Sequence, residues 1–228
     1  MGVLNSHIYR QAIGSLMFAA IVTRPDISYA VGEVSRFMDN PKPSHVSAVK
    51  RILRYLNGTA ERGIQYSGPS TTLKGYSDSD FARDVDTRKS TTGYVFLVGG
   101  GVITWKSHRQ KTVALSTTEA EFMAACEGAK EAVWLHQLLR DVGYAQESPP
   151  SLYIDNQSAI RLIKNSELHQ RTKHIDVRLH FIRQLYESKK ISIYYVCSED
   201  QLGDVFTKPL TTQKFIKNVE MLGMKDLK

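Results

Sequence analysis

From the amino terminus the apolar residues follow a helical period, and beyond residue 68 they change to alternation and short continuous runs. The first apolar segment, Ala12-Ile-Gly-Ser-Leu-Met-Phe-Ala-Ala-Ile-Val22, stops near Thr23-Arg-Pro-Asp26. A second helix is expected from there through Tyr29, Val31, Val34 and Phe37, with Asp26 favourable in its first turn. Asn40-Pro-Lys-Pro-Ser44 then breaks the pattern. Ser44 is the expected cap of a third helix that ends at Asn57-Gly58. Its apolar face carries Val49, Ile52, Leu53 and Leu56, while Lys50, Arg51 and Arg54 project elsewhere. That basic side reads equally well as a solvated helix face or as a phosphate-contacting one, with Lys50 and Arg54 as the candidate contacts.

Past Gly68-Pro69, Leu73 to Ala82, Gly93 to Val98 and Val102 to Trp105 read as strands, with Gly99-Gly-Gly101 as the turn between the last two. A long helix is expected over 117–142, a strand over Ser151–Ile154, a short helix over Asn156–Lys164 and another helix over 174–188. Ile191 to Val196 is the last expected strand, and a terminal helix is expected to start near Ser198. This order implies an antiparallel meander followed by parallel strands on right-handed crossovers. The expected fold is therefore α/β, a mixed five-stranded sheet flanked by helices, with a helical segment at 1–68 and the α/β domain at 69–228.

Composition narrows the class only modestly. With 228 residues, 42% of them hydrophobic, the chain can bury a real core. A net charge of +7 favours a polyanionic partner without establishing one. Two cysteines, Cys126 and Cys197, form no metal-ligand spacing and no disulfide framework, so a reducing compartment is expected. The apolar run 12–22 is half a membrane span, and no signal peptide is expected.

Four carboxylates stand out by their settings. They are Asp78 in Gly75-Tyr-Ser-Asp-Ser-Asp80, Glu121 in Ser116-Thr-Thr-Glu-Ala-Glu-Phe-Met-Ala124, Asp155 in Leu152-Tyr-Ile-Asp-Asn-Gln157, and Asp204 in Ser198-Glu-Asp-Gln-Leu-Gly-Asp204. Two stand at or near strand ends and two one turn into helices, so a single fold can gather them. Gathered acids repel one another and raise each other's pKa unless a cation sits among them. Mg²⁺ prefers carboxylate oxygen and keeps several waters, which suits hydrolysis of a phosphodiester.

Local arguments sort some acids from their neighbours. Ser116-Thr-Thr-Glu119 is a capping box, which explains Glu119 as an acid reaching back to the Ser116 N–H. Glu121 instead shares the inward stripe of Ala124, Ala125, Gly128, Ala132 and Leu135, where an uncompensated carboxylate is costly. Asp155 sits at the carboxyl end of a strand, where α/β sheets build sites, and Asn156 after it is a good helix cap. Asp78 and Asp80 share a strand face by alternation and are not separated on these grounds. Asp84 and Asp86 read as loop residues. Asp204 stands on the same expected helical face as Asp200, a like-charge pair that opposes the helix.

The acids Tyr76-Ser-Asp78, Glu121-Phe-Met-Ala124, Ile154-Asp-Asn-Gln157 and Asp204 resemble the Asp-Glu-Asp-Asp tetrad of the type 1 ribonuclease H fold. More narrowly, four strings are similar to the ribonuclease H region of copia-type retrotransposon Pol polyproteins. They are Asp84-Val-Asp-Thr-Arg-Lys-Ser-Thr-Thr-Gly-Tyr94, Leu115-Ser-Thr-Thr-Glu-Ala-Glu-Phe122, Lys173-His-Ile-Asp-Val-Arg178 and Glu199-Asp-Gln-Leu-Gly-Asp-Val-Phe-Thr-Lys-Pro209. Tyr9-Arg-Gln-Ala-Ile-Gly-Ser-Leu-Met17 and Thr23-Arg-Pro-Asp-Ile27 resemble the segment just upstream, the thumb/connection end of the reverse transcriptase. No Tyr-x-Asp-Asp polymerase motif is present, so the expectation is a C-terminal piece of such a polyprotein.

The resemblance implies Asp78 over Asp80 and Glu121 over Glu119. It implies two Mg²⁺ ions about 3.5–4 Å apart, Mn²⁺ able to substitute, held by Asp78, Glu121, Asp155 and Asp204. One ion would activate a water and the other stabilise the leaving 3′ oxygen, leaving 5′-phosphate products on the RNA strand of an RNA·DNA hybrid. Gln157 matches a position that touches the RNA minor groove, and Thr117 and Thr118 match contacts to the hybrid backbone. Lys173 lies in the basic stretch 161–190, which is expected to replace an absent basic handle helix as a phosphate-contacting surface. A histidine common before the fourth acid is missing from Cys197-Ser-Glu-Asp200; His174 and His180 are the candidates to replace it. The implied partners are the hybrid and the rest of the reverse transcriptase, with no membrane. The implied location is a cytoplasmic retrotransposon particle, or else the nucleus. The competing reading is a non-catalytic nucleic-acid-binding or structural piece, against which all four acids being intact argues.

Overall fold

The structure, a computed structural model, describes residues 6–67, 72–144, 146–165 and 173–226, without the side chains of residues 173–176. Three helices lead: α1 Ser6–Val22, α2 Ser28–Ser35 and α3 Pro43–Gly58. A short strand β1 Arg62–Ile64 follows, then the main body: β2 Lys74–Ser79, β3 Thr91–Val98, β4 Gly101–Arg109, α4 Thr117–Asp141, β5 Ser151–Ile154, α5 Gln157–Lys164, α6 Lys173–Glu187 and β6 Ser192–Tyr195. The chain ends in α7 Thr212–Met221 and β7 Met224–Asp226.

The expected mixed five-stranded sheet is present, in the order β4-β3-β2-β5-β6. β2 pairs antiparallel with β3 and parallel with β5, and β5 pairs parallel with β6. β2 is thus the central strand. One face of the sheet is covered by α4, α5 and α6 around Phe96, Phe122, Leu152 and Ile182. The other face holds a second core of Val95, Val102, Phe206 and Val219. Fully burying one such side chain is worth about 1.5–3 kcal/mol. A third cluster, Tyr9, Ile13, Leu16, Val31 and Ile52, belongs to α1–α3. The leading helices touch the sheet through named bonds: Trp105 Nε1 donates to Ala20 O at 2.8 Å, and Arg36 pairs with Asp84. Among the described residues no helix is long and apolar enough to cross a membrane.

Several expectations are corrected. α3 starts at Pro43, not after Ser44: proline's fixed φ suits the first helical position, and His45 Nδ1 accepts the Lys42 N–H at 3.0 Å. Asp26 opens no long helix. It lies in a 3₁₀ turn, Pro25–Ile27, buried against Arg24 Nη2 at 2.7 Å and the Tyr55 hydroxyl at 2.6 Å. The terminal helix expected near Ser198 is replaced by two 3₁₀ turns, Ser198–Asp200 and Leu202–Phe206, divided by extended Gln201. The α-helix there starts only past Pro209, at Thr212. β1 and β7, paired antiparallel and joined by Arg62 Nε to Asp226 Oδ1 at 3.0 Å, gave no strand signal at three residues each.

Candidate active site

Three of the four acids converge because β2 and β5 run parallel side by side and α4 crosses them. Asp78 lies near the carboxyl end of β2, opposite Gly93 of β3. Asp155 follows the last residue of β5. Glu121 projects inward from the second turn of α4, on the stripe whose Ala124, Ala125 and Ala132 have no exposed surface. Gly128 is on that stripe too; a Cβ there would stand 3.2 Å from Leu152, so the small residue lets α4 approach β5. One carboxylate oxygen from each of Asp78, Glu121 and Asp155 lies within 4.8 Å of the others.

Their electrostatics are those of gathered acids. Burial, then the charge of Asp204, pushes the Asp78 carboxyl up to about 7, against the pull of Lys208 and a hydrogen bond from Thr207. Glu121 is raised well above its ordinary range by burial, then by Asp78 and Asp155. Glu121 Oε1 accepts the Ser79 N–H at 3.4 Å, while its Oε2 is buried with no hydrogen-bond partner. Asp155 Oδ2 accepts from Ser198 Oγ at 2.9 Å, and Asn156 Oδ1 caps α5 by accepting the Ala159 N–H at 2.9 Å.

Asp204 is placed differently from the expectation. It sits in the 3₁₀ turn Leu202–Phe206, and Asp200 is not its helical neighbour but pairs with Lys217 at 2.6 Å. The turn is pressed onto the sheet by absent side chains. A Cβ on Gly203 would lie 2.7 Å from Asp78 Cβ, and one on Gly93 would lie 2.9 Å from the Gly203 carbonyl oxygen. Gln201 fixes the entry, donating to Ser77 O and accepting the Gly203 N–H, both at 3.0 Å. Asp204 thereby points at the site but does not join the trio; Lys208 Nζ lies 2.6 Å from its Oδ1, and Lys214 pairs with its Oδ2.

The neighbouring acids have structural work. Glu119 is buried, and its Oε2 accepts a backbone N–H at 3.0 Å, from Leu115 and not from Ser116 as expected; Ser116, extended at φ −153°, still accepts the Glu119 N–H at 3.1 Å. Asp80 lies beyond the end of β2, so strand alternation no longer carries it to the Asp78 side; its Oδ1 accepts the Thr91 N–H at 2.8 Å. Asp84, read as a loop residue, is buried between Arg36 and Arg109.

The candidate nucleic-acid contacts divide by place. Thr117 and Thr118 open α4, Thr117 exposed and Thr118 half-buried, and exposed Gln157 opens α5. Lys50 and Arg54 are exposed on α3, which supplies none of the clustered acids. The side chains of Lys173 and His174 lie outside the described residues; His180 is exposed on α6. Residue-by-residue reasoning missed Thr207, whose hydroxyl donates to Asp78 Oδ2, and the lysines at 208 and 214. Their signal was the string from Glu199 to Pro209, which contains the first two.

All-oxygen, carboxylate donors with one buried lone oxygen unpartnered fit a hard divalent cation, and Asp78, Glu121 and Asp155 could hold one.

No protein-family model matches the chain. Over 216 residues, 95% of its length, the chain is 49% identical to the retrovirus-related Pol polyprotein from transposon TNT 1-94 of Nicotiana tabacum. It is 42% identical over 217 residues to that from transposon RE1 of Arabidopsis thaliana. It spans only 16% and 15% of those polyproteins. Among solved structures, LC11-RNase H1, isolated from compost, superposes with a TM-score of 0.46 at 11% identity, covering 65% of this chain and 99% of that one. The sheet order and its crossovers are those of a ribonuclease H-like α/β fold, and the chain belongs to the retrovirus-related Pol polyproteins of copia-type transposons.

Proposed function

We propose that the chain hydrolyses the RNA strand of RNA·DNA hybrids in retrotransposon reverse transcription, using divalent cations, Mg²⁺ first and Mn²⁺ as a substitute. The observation that carries this is the convergence of Asp78, Glu121 and Asp155 within 4.8 Å, with a buried Glu121 oxygen left without a partner. Asp204 completes the set from the adjoining turn. When bound, the cations supply an activated water and offset charge on the phosphodiester. The chain's own residues do the rest. Asp78, raised by burial and then by Asp204, and Glu121, raised by burial and then by Asp78 and Asp155, hold their charge more readily against a cation. The first turns of α4 and α5 offer free backbone N–H groups, with Thr117, Thr118 and Gln157, to phosphate and 2′-hydroxyl oxygens. Lys173 and, on α3, Lys50 and Arg54 extend the phosphate-contacting surface.

In this reading residues 1–68 are the connection end of the reverse transcriptase and 69–228 the nuclease. The partners are the hybrid and the remainder of the polymerase, within a cytoplasmic particle. A labelled hybrid incubated with and without Mg²⁺ tests the proposal, with duplex DNA beside it. Metal-dependent cleavage of the hybrid alone is expected. Equal cleavage of both duplexes would sink the ribonuclease H assignment, and cleavage of neither would leave the competing non-catalytic reading in its place.

A further inference from the structure

The proposed catalytic acids number four, but the structure divides them into three and one, and the divider is a lysine. Lys208 Nζ lies 2.6 Å from Asp204 Oδ1 and 3.6 Å from Asp78 Oδ2. The carboxylates of Asp78 and Asp204 are each 1% exposed, so this ammonium separates two charges in a poorly screened place. Without it, two adjoining buried acids would face each other directly, at a cost larger than either would meet alone. The lysine is held close by its own backbone: its N–H donates to Asp204 O at 3.2 Å, and the preceding Thr207 hydroxyl donates to Asp78. An ammonium set between two carboxylates in this way is a cation by its place in the fold.

Lys208 also has somewhere to go. It lines a cavity of about 660 Å³ between the leading helices and α7, which Asp26, Glu33, Arg51 and Arg62 also line.

We propose that Lys208 is a resident counter-cation that makes the metal site asymmetric. The Asp78–Glu121–Asp155 trio takes one divalent ion directly, whereas an ion that uses Asp204 Oδ1, the oxygen not held by Lys214, must first displace the Lys208 ammonium. This rests on the hydrolase reading above and deepens it. Metal and ammonium compete for the same oxygens, so each weakens the other's hold by the same factor. The apparent affinity of the second ion is its intrinsic affinity reduced by the fraction of molecules in which the lysine is already away.

Calorimetric titration of the whole chain with Mg²⁺, and separately with Mn²⁺, reads this without turnover. The wild type should bind one ion and then a second more weakly. Lys208→Gln should tighten the second ion by about tenfold or more, and by more than the first. Lys208→Arg should keep the wild-type asymmetry. Lys217→Gln, which takes a like charge from the Asp200 pair outside the site, should change neither affinity. In thermal melts without metal, Lys208→Gln should unfold earlier than wild type and recover with millimolar Mg²⁺. A folded Lys208→Gln protein with unchanged affinities, or with an equal gain at both ions, overturns the proposal. Asp204→Asn gives an independent reading: it should remove the weaker ion and leave the trio's ion in place. A second ion surviving that change unaltered overturns the proposal whatever Lys208→Gln does. Failure of the hydrolase reading looks different, since wild-type protein would then bind ions in this pattern yet cleave no hybrid.

Discussion

Asp78 and Asp84 stand six positions apart on one stretch of chain, both with buried side chains, in opposite surroundings. Asp84 accepts the Thr87 N–H at 2.7 Å and the Thr87 hydroxyl at 2.8 Å, and it faces both Arg36 and Arg109. Burial raises its carboxyl, yet these bonds and charges bring it down to about 2. Asp78 has one hydroxyl and one lysine, at 3.6 Å, set against burial, Asp204 and Asp155, and rises to about 7. Asp26 belongs with Asp84, answered by Arg24 and Tyr55. A buried acid with a structural task finds its compensation within the fold, and one left short marks where compensation comes from outside.

The strongest way to break that comparison is to remove an uncompensated charge. Asp78→Asn, Glu121→Gln and Asp155→Asn should each lower hybrid cleavage by about a hundredfold or more, the scale on which one preorganised charge-stabilising group acts. Circular dichroism should show the fold intact. Glu119→Gln retains an acceptor for the Leu115 N–H and should keep most of the activity. If Glu119→Gln is dead while Glu121→Gln cleaves, the inward-face argument is wrong.

The opposite experiment acts on the compensated acid. Asp84→Asn leaves Arg36 and Arg109 without their shared anion, and should cost about 2–3 kcal/mol of stability in denaturant unfolding. Magnesium binding should be unchanged, because Asp84 lies outside the clustered acids. A variant as stable as wild type would make the two guanidiniums incidental.

Acidity separates the two regions by sign. Asp84's folded pKa lies below its ordinary 3.8, so its contribution is present above that value and lost as pH falls towards about 2. Asp78 and Glu121 are raised, so the folded protein holds protons that the unfolded chain has released. Their effect is reversed: stability without metal falls as pH rises from the ordinary 3.8 towards about 7. Melting curves in a chelator should therefore weaken at both ends, and millimolar Mg²⁺ should flatten the upper limb alone. An upper limb untouched by Mg²⁺ would count against the acids as a cation site.

How far the sequence could see follows from what kind of signal each element has. The five main strands, α4 and the inward stripe bearing Glu121 were legible because periodicity is a local signal that burial on one face enforces. Asn156 as a cap and Asp155 at a strand's carboxyl end were legible for the same reason. The 3₁₀ turn holding Asp204 was not: its shape is set by Gln201 reaching Ser77 and by Gly203 against Asp78, contacts more than a hundred residues apart. Thr207 and Lys208 fell inside the string from Glu199 to Pro209, but their contacts with Asp78 did not show, since nothing local marks a lysine or threonine that closes on a distant strand. Asp84 looked like a loop acid because its partners, Arg36 and Arg109, come from elements whose approach only the fold determines.

The finest test concerns Asp78 and Asp80, which alternation alone could not tell apart. They share a strand face in the abstract, but β2 ends at Ser79, and the two carboxylates have separate tasks. Asp80 Oδ1 accepts the Thr91 N–H, tying the end of β2 to β3, and burial raises its pKa. Asparagine keeps the acceptor and removes a partly desolvated charge, so loss and gain nearly cancel. Asp80→Asn should shift stability by less than about 1 kcal/mol, within the range of one neutral hydrogen bond, and leave the metal titration and hybrid cleavage close to wild type. Asp78→Asn, two positions away, should lose the ion and the activity together. If Asp80→Asn instead costs as much cleavage as Asp78→Asn, the acid that completes the site is the wrong one of the two, and the Thr91 bond is only where Asp80 rests.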